Sequence, residues 1–240
     1  MILITRPKEQ SKNLKLKLSA KGYKIFQESF YSFEYYKRNV SCNKTNYYIF
    51  SSIHSVYSLK KNKQISKFKD SKIFAIGLLV SKALAEAGCK NIIFTFKDSI
   101  TLLKNIKSLN VENNRFVYFS SNIVNKDFFA QANKLKMNIK KIIVYKTIPI
   151  KNFTKKLNNS FSSGDISAVT FYSKFSAEMF LKLTSKYKIS QDTKRLPMYC
   201  ISERVARPLV RNKYNHVYIA KRPDEKSLIA CIKKEHFHVL

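Results

Sequence analysis

The chain of 240 residues carries 46 Lys and Arg against 15 Asp and Glu, and 45% of its residues are apolar. Its apolar runs are too short to span a bilayer, and the opening MILITRP predicts a strand and not a signal peptide. We therefore expect a cytoplasmic protein with no membrane partner. Four scattered cysteines without a C-x-x-C pair, and histidines away from ligand spacing, argue against disulfides and a metal.

Lysine supplies most of the positive charge, since 38 of the 46 basic residues are Lys and eight are Arg. Such a surface attracts polyanions, whether nucleic acid, acidic membranes or a polycarboxylate. Proteins that read nucleic acid favour arginine and aromatic residues set among basic ones, whereas these lysines are spread along the whole chain. The excess of Lys and Asn is typical of A+T-rich coding, so we do not expect specific nucleic-acid binding.

Strand-like and helix-like segments alternate along the chain, which predicts an α/β protein. One helical segment carries Leu14 and Leu18 four residues apart and stops at Gly22. Most strand-like runs are continuously apolar, as in a parallel sheet covered on both faces. The ten runs are 2–7, 23–30, 46–52, 72–77, 91–96, 115–121, 140–147, 168–173, 197–202 and 216–221.

The chain also repeats itself. Residues 74–103 resemble 199–228: each stretch has a strand, a small residue, an amphipathic helix, a second strand, a basic residue and another helix. A period of roughly 115–125 residues indicates a duplicated unit with five strands in each copy. Two divisions of the chain remain open. Either each copy folds by itself, as 1–110 and 115–240, or the copies exchange their opening strand pairs.

Small or hydroxyl residues follow most of the predicted strands. In a parallel sheet these positions lie at the carboxyl edge, where the next helix presents free N–H groups and the positive end of its dipole. Each such Ser or Thr is also a good helix N-cap. Their recurrence in both halves predicts two facing anion-binding edges. The residues are Thr5, Ser51, Ser52, Gly77, Ser120, Ser121, Ser173 and Ser202.

Motifs for nucleotide binding and covalent catalysis are missing. The sequence contains no G-x-x-x-x-G-K-[ST], no G-x-G-x-x-G and no G-x-S-x-G, and it has four glycines in all. The few carboxylates, such as Asp165, Glu178 and Glu203, do not form a convincing catalytic pair. An enzyme of this composition would hold its substrate in shape and stabilise charge.

Seven ordered motifs resemble uroporphyrinogen-III synthase over roughly residues 2–232 (ILITRP, IFSSIHSV, AIGLLVSKAL, VYKT, AVTFYSKFSA, CISERVA and RPDEKSL). The resemblance implies two flavodoxin-like domains with five-stranded parallel sheets, joined by two extended connectors. Domain 1 would comprise residues 1–36 plus 150–240, and domain 2 residues 40–147. It also implies a monomer without metal or organic cofactor.

The implied reaction cyclises the linear tetrapyrrole hydroxymethylbilane, with loss of water and inversion of the last pyrrole ring. Each pyrrole carries an acetate and a propionate, so the substrate is a polycarboxylate, in agreement with the predicted anion-binding edges. In the family the tyrosine of V-Y-x-T lies at the substrate, and here it is Tyr145. A phenol could assist departure of the hydroxyl group, although a tyrosine at a strand end can also be a packing residue.

The chain departs from the family pattern at several positions. Val80 and Ser81 stand where many members have Thr-Ala, and Arg204 and Val205 replace two threonines of some relatives. Ser81 and Ser202 would be the nearest remaining hydroxyl donors. The basic side chains that could bind substrate carboxylates instead are Arg6, Lys174 and Arg204. Two alternatives are a polyanion- or nucleic-acid-binding module with the same fold, and a synthase that has lost its activity.

Overall fold

The computed structural model describes residues 1–106, 114–123 and 126–236. It divides the chain into two compact units, namely unit 1 (Met1–Ser32 with Pro149–Leu240) and unit 2 (Phe33–Ile148). The strands are β1 (Ile2–Ile4), β2 (Ile25–Gln27), β3 (Tyr31–Tyr35), β4 (Tyr47–Phe50), β5 (Lys72–Ile76), β6 (Ile92–Phe96), β7 (Arg115–Ser121), β8 (Asn138–Pro149), β9 (Ala168–Phe171), β10 (Met198–Cys200) and β11 (Val217–Ile219).

Helices connect most of these strands, and a short 3₁₀ helix spans Ile65–Phe68. None of the helices in the described part of the chain has the length and apolarity that crossing a bilayer requires. The α-helices are α1 (Lys8–Ser19), α2 (Ile53–Lys61), α3 (Leu78–Glu86), α4 (Ser99–Ile106), α5 (Lys126–Lys134), α6 (Lys155–Ser162), α7 (Lys174–Lys186), α8 (Ser190–Thr193), α9 (Glu203–Arg211) and α10 (Glu225–His236).

The sheet of unit 1 has five strands in the order β11-β10-β9-β1-β2, and all neighbouring strands are parallel. Counted in chain order within the unit, this is the flavodoxin order 2-1-3-4-5. Ile2 lies in register with Ile25 on one side and with Ala168 on the other. The predicted α/β class with parallel sheets is confirmed, and this sheet also has the predicted strand number and order.

The sheet of unit 2 has six strands in the order β3-β8-β7-β4-β5-β6, one strand more than predicted. From β8 to β6 the neighbouring strands are parallel. The extra strand is β3, whose sequence YSFEY lies outside the ten predicted strand-like runs and within the range 1–36 expected for domain 1, yet it pairs in the sheet of unit 2. Its neighbour β8 is twelve residues long, and the N–H of Tyr36, just after β3, donates to the Val144 carbonyl at 3.0 Å. The long strand β8 therefore provides the edge along which β3 pairs.

Five strands have the same spatial order in both sheets, although the strand that comes first in the chain occupies a different place in each sheet. The order is β2-β1-β9-β10-β11 in unit 1 and β8-β7-β4-β5-β6 in unit 2. The sequence repeat matches the same partners, because residues 74–103 include most of β5 and all of β6, and residues 199–228 include most of β10 and all of β11. Strands of the first 27 residues therefore share a sheet with strands of residues 168–219, which is the exchanged division of the chain.

Helices cover both faces of each sheet, as the continuously apolar strands predict. In unit 1, Leu3 belongs to one core cluster while Ile2 and Ile4 belong to the other, so alternate residues of β1 point to opposite faces. In unit 1, helices α6, α7 and α9 contribute to the cluster on one face of the sheet, and α1 and α10 to the cluster on the other face. In unit 2, α2 and α3 contribute to one cluster, and α4 and α5 to the other.

We expect the core of unit 1 to depend on Phe180 of α7, which is fully buried and lies 5.3 Å from the Phe171 ring, centroid to centroid. Phe180→Ala should lower the free energy of unfolding by about 3–5 kcal/mol, because it removes buried apolar surface and leaves a cavity. Urea denaturation of purified variants measures this. Phe94→Ala, at a side chain 44% exposed on β6, is the matched control. Equal losses in the two variants would contradict the assignment of Phe180 to the core.

Candidate functional site

The carboxyl edge of each sheet gathers the residues predicted from the strand ends. Arg6 follows β1, Ser173 follows β9 and Ser202 follows β10, and these three strands are neighbours in the sheet of unit 1. In unit 2 the corresponding residues close or follow neighbouring strands β7, β4 and β5; they are Ser120, Ser121, Ser51, Ser52 and Gly77. In an open parallel sheet such an edge is where ligands bind. The predicted residues thus form two groups, one in each unit.

Two of the serines are occupied as helix caps. The Ser52 hydroxyl accepts from the His54 N–H at 3.2 Å and opens α2, and the Ser173 hydroxyl accepts from the Ser176 N–H at 3.1 Å and opens α7. The Ser173 and Ser176 hydroxyls also lie 2.8 Å apart. A capping oxygen acts as acceptor, so the Ser52 hydroxyl can still donate its own proton to a ligand.

Ser51 is held by a tyrosine that the sequence reading did not single out. The Tyr118 hydroxyl of β7 donates to the Ser51 hydroxyl oxygen at 2.6 Å. Burial raises the pKa of Tyr118, the hydrogen bond to Ser51 lowers it and nearby Tyr145 raises it. The net upward shift keeps Tyr118 protonated, as a donor. Since its oxygen accepts from Tyr118, Ser51 keeps its own proton for a further hydrogen bond.

Ser120 and Ser121 turn into the protein. Both are buried; the Ser120 hydroxyl donates to the Ser121 carbonyl at 3.1 Å, and the Ser121 hydroxyl donates to the Ile123 carbonyl at 2.6 Å. Next to them the Asn122 carboxamide accepts from the Thr147 N–H at 2.8 Å. These side chains therefore shape the end of β7 and fasten it to β8, and their hydroxyl protons are already used.

At the end of β5, Gly77 opens α3 with φ of 95°, a backbone conformation that other residues rarely adopt. Its N–H donates to the Phe96 carbonyl at 2.7 Å, so this amide is not available to a ligand. One turn later the Ser81 hydroxyl accepts from the Thr95 hydroxyl at 2.9 Å. Ser81 is partly exposed and, like Ser51, is left to donate its own proton.

Ser202 and Arg204 remain open at the end of β10. Ser202 occupies the N-cap position of α9, and its hydroxyl makes no hydrogen bond within residues 1–106, 114–123 and 126–236. Arg204 is exposed and has no carboxylate within ion-pair distance over the same ranges. Lys174 differs, since its ammonium lies 3.2 Å from Glu178 one turn along α7. Of the residues following β9 and β10, Ser202 and Arg204 are thus the better placed to bind an anion.

Arg6 is held in a defined orientation. Its Nε donates to the Gln10 side-chain oxygen at 3.1 Å, and its guanidinium carbon lies 4.6 Å from the centre of the Tyr172 ring. The contact with the Tyr172 ring and the hydrogen bond from Nε leave the two terminal nitrogens of the guanidinium available to bind a carboxylate. The Tyr172 hydroxyl is buried without a partner in the described structure. Burial and then the Glu225 charge raise the pKa of Tyr172 against the opposing effect of Arg6, so the phenol stays neutral.

Tyr145 lies inside unit 2. It is 7% exposed, belongs to β8 in register with Ser121, and its ring centre is 5.9 Å from that of Phe33 and 5.6 Å from that of His54. His54 is itself buried, stacks on Phe33 with ring centres 3.5 Å apart, and its Nδ1 lies 2.9 Å from the Tyr35 hydroxyl. Tyr145 therefore sits within an aromatic cluster that joins β3, α2 and β8.

Sequence reasoning missed Tyr118, Tyr172 and His54 as members of these edges. Tyr118 precedes Ser120 by two residues on β7, and Tyr172 stands directly before Ser173, so both adjoin predicted positions. His54, like the other histidines, has no metal-ligand spacing in the sequence, which therefore predicts no site role for it. Among the described residues no group of three His, Cys, Asp or Glu could hold a metal ion. The side chains gathered at these edges carry hydroxyl, guanidinium and phenol groups.

Comparison with known proteins identifies the family. The family model described as HEM4, uroporphyrinogen-III synthase HemD, matches residues 3–230. No curated protein sequence matches the chain. Among solved structures, uroporphyrinogen-III synthetase from Helicobacter pylori superposes with a TM-score of 0.69 at 17% identity, over 97% of this chain and 98% of that one.

A mutant uroporphyrinogen III synthase from the extremely thermophilic bacterium Thermus thermophilus superposes with a TM-score of 0.64 at 12% identity, over 99% of this chain and 98% of that one. At these identities the two structures bear on the fold alone, and both have the two-domain α/β fold of this chain. The match of the family model covers nearly the whole sequence. The chain belongs to the uroporphyrinogen-III synthase (HEM4) family.

Proposed function

We propose that this chain is an active uroporphyrinogen-III synthase, a lyase that converts hydroxymethylbilane to uroporphyrinogen III with loss of water. The family match over residues 3–230 carries the proposal, and no comparison supports the alternative of a polyanion- or nucleic-acid-binding module. We also propose that it works in the cytoplasm as a monomer, with the linear tetrapyrrole as its partner and no membrane or specific nucleic acid.

The substrate carboxylates would bind at the carboxyl edges of the two sheets. In unit 2 the outward donors are the hydroxyls of Ser51, Ser52 and Ser81. In unit 1 they are the Ser202 hydroxyl and the guanidiniums of Arg6 and Arg204. Hydroxyl donors orient a carboxylate without neutralising it, whereas a guanidinium does both. Ser120, Ser121, Gly77, Ser173 and Lys174 would support the edges indirectly, because their own groups are already engaged.

The reaction begins when the carbon–oxygen bond of the hydroxymethyl group breaks. A pyrrole nitrogen supplies the electron pair, the oxygen takes up a proton, and water leaves. The carbon then bonds to the substituted α-carbon of the last pyrrole ring to form the spiro intermediate. The bond from that α-carbon to the preceding methylene bridge breaks, the methylene bonds to the other α-carbon of the same ring, and that carbon loses its proton, which completes the inversion. The protein must therefore assist a leaving oxygen and hold a bent chain, which neutral hydrogen-bond donors can do. We assign Tyr145 to the leaving oxygen.

The isomer assay tests the function itself. Purified protein supplied with freshly generated hydroxymethylbilane should give predominantly isomer III when the products are separated chromatographically. Without catalysis the bilane closes spontaneously to isomer I, so heat-denatured protein is the control. If the native protein gave only isomer I at the spontaneous rate, the chain would be a synthase that has lost its activity, and the proposal would be wrong.

Tyr145→Phe should reduce kcat by about a hundredfold, the lower end of what a general acid contributes, without abolishing it, because the pyrrole nitrogen still supplies the electron push. Steady-state formation of isomer III measures the effect. Tyr47→Phe is the matched control, since Tyr47 is a similarly buried tyrosine at the amino end of β4. Full activity of Tyr145→Phe would remove Tyr145 from the mechanism.

Tyr118 and Ser51 should act as one unit. Tyr118→Phe removes the donor that orients Ser51, and Ser51→Ala removes the outward donor itself, so each should lower kcat/KM about threefold to tenfold, the value of one hydrogen bond. The double variant should lose no more than Ser51→Ala alone, because Tyr118 acts through Ser51. If the losses of kcat/KM in the two single variants multiplied in the double variant, the two hydroxyls would act independently.

A further inference from the structure

Helix α9 carries three arginines on its outward face. Arg204, Arg207 and Arg211 are spaced i, i+3 and i+7, which places them along one side of the helix. All three are exposed, whereas Val205 and Leu209 on the opposite side belong to the core of unit 1. We call these three residues the arginine stripe. It spans about 10 Å, the rise of seven helical residues.

Arginine is rare in this protein, which makes its clustering informative. Only eight of the 46 basic residues are Arg, yet three of those eight lie on one face of a nine-residue helix. The bias of the composition toward lysine accounts for any single lysine, but it makes three arginines on one helix face less expected. A guanidinium binds a carboxylate through two parallel hydrogen bonds, which an ammonium does not do.

The stripe is also uncompensated. Glu203 stands four residues before Arg207, but the ion pairs within 4 Å among the described residues are Lys17–Glu225, Lys174–Glu178 and Arg222–Asp224, and none of them involves the stripe. On α7 the same spacing does produce a pair, Lys174 with Glu178 at 3.2 Å. Like charges one turn apart destabilise a helix slightly. Three unpaired guanidiniums are therefore presented to solvent at a small cost in stability.

The stripe starts at the site already described. Arg204 lies in the first turn of α9, two residues after Ser202, whose hydroxyl makes no hydrogen bond in the described ranges. From there Arg207 and Arg211 continue along the helix, away from the carboxyl edge of the sheet. A polyanion bound along the stripe would thus have one end at the candidate substrate site.

We propose that the arginine stripe captures the polycarboxylate substrate from solution and delivers it to the carboxyl edge of unit 1. The proposal rests on the proposed function and adds the surface that governs the association step. Every pyrrole of the open-chain tetrapyrrole bears two carboxylates, so neighbouring rings can engage successive guanidiniums. Because the free substrate also closes spontaneously to isomer I, faster capture directly favours isomer III.

The test compares two double variants that remove equal charge. Arg207→Gln with Arg211→Gln leaves Arg204 in place and shortens the stripe. Lys21→Gln with Lys24→Gln is the control, at two exposed residues that join α1 to β2 on the opposite edge of the same sheet. At an ionic strength of about 0.01 M we expect kcat/KM to fall threefold to tenfold in the arginine variant and less than twofold in the lysine variant.

Two further readouts separate capture from a structural effect. The difference between the variants should shrink at about 0.5 M salt, where long-range attraction is screened. At limiting enzyme the arginine variant should also release more isomer I.

Equal losses of kcat/KM in the two double variants, or a loss independent of salt, would overturn the proposal. A variant that keeps kcat/KM but no longer binds a single-stranded oligonucleotide would make the stripe a nucleic-acid surface. If the unsubstituted protein forms only isomer I, it is the proposed function that fails.

Discussion

Hydrogen bonding between β1 and β9 is the constraint on which the rest of this structure depends. Ile2–Ile4 pair in parallel with residues 168–170, and all of unit 2 lies between them in the sequence. The Thr5 hydroxyl reinforces the pairing by donating to the Thr170 carbonyl at 2.7 Å. Closing so long a loop costs entropy that grows only slowly with length, and a buried strand in the middle of a sheet offsets it. Without this pairing, β2 would be detached from β9, β10 and β11.

The same spatial order in both sheets gives each unit a similar chemical edge. Parallel strands end on one side, the helices begin there, and the connections leave in opposite directions at β1 and β9 in unit 1 and at β7 and β4 in unit 2. This switch in direction opens a crevice in doubly wound sheets. Arg6 and Ser173 follow the two switch strands of unit 1; Ser51 and Ser121 stand at those of unit 2. One topology thus produces two carboxyl edges of the same plan with different side chains.

The groups at these edges suit a reaction whose electrons come from the substrate. Burial raises the pKa of Tyr118 and Tyr172, so both phenols remain neutral over the range in which carboxylates are ionised, and Tyr118 donates to Ser51. Ser51 and Ser202 add hydroxyl donors, and Arg6 adds a fixed charge. Such an arrangement supplies geometry and charge stabilisation. Since the composition favours lysine, the arginines at and beside the edge are the cations on which the proposed binding surface rests.

Local patterns in the sequence contained a large part of this description. Continuously apolar runs predicted the strands, because strands covered on both faces have no polar side, and the repeat predicted two units of one plan. The ends of those runs predicted the small and hydroxyl residues at the carboxyl edges, and the resemblance of ordered motifs identified the family. The α/β class and the family membership are confirmed; the role of each site residue stays a prediction.

Tertiary structure alone decided which strands share a sheet, since both divisions of the chain have the same local signals. Pairing of β1 with β9 and of β3 with β8 depends on contacts between residues far apart in the sequence, which periodicity does not record. The same is true of the hydroxyls. Ser51 and Ser121 look alike in the sequence, but Tyr118 donates to the first while the second donates to the Ile123 carbonyl. The direction of a hydroxyl proton is set by its neighbours in space, and only the folded chain supplies them.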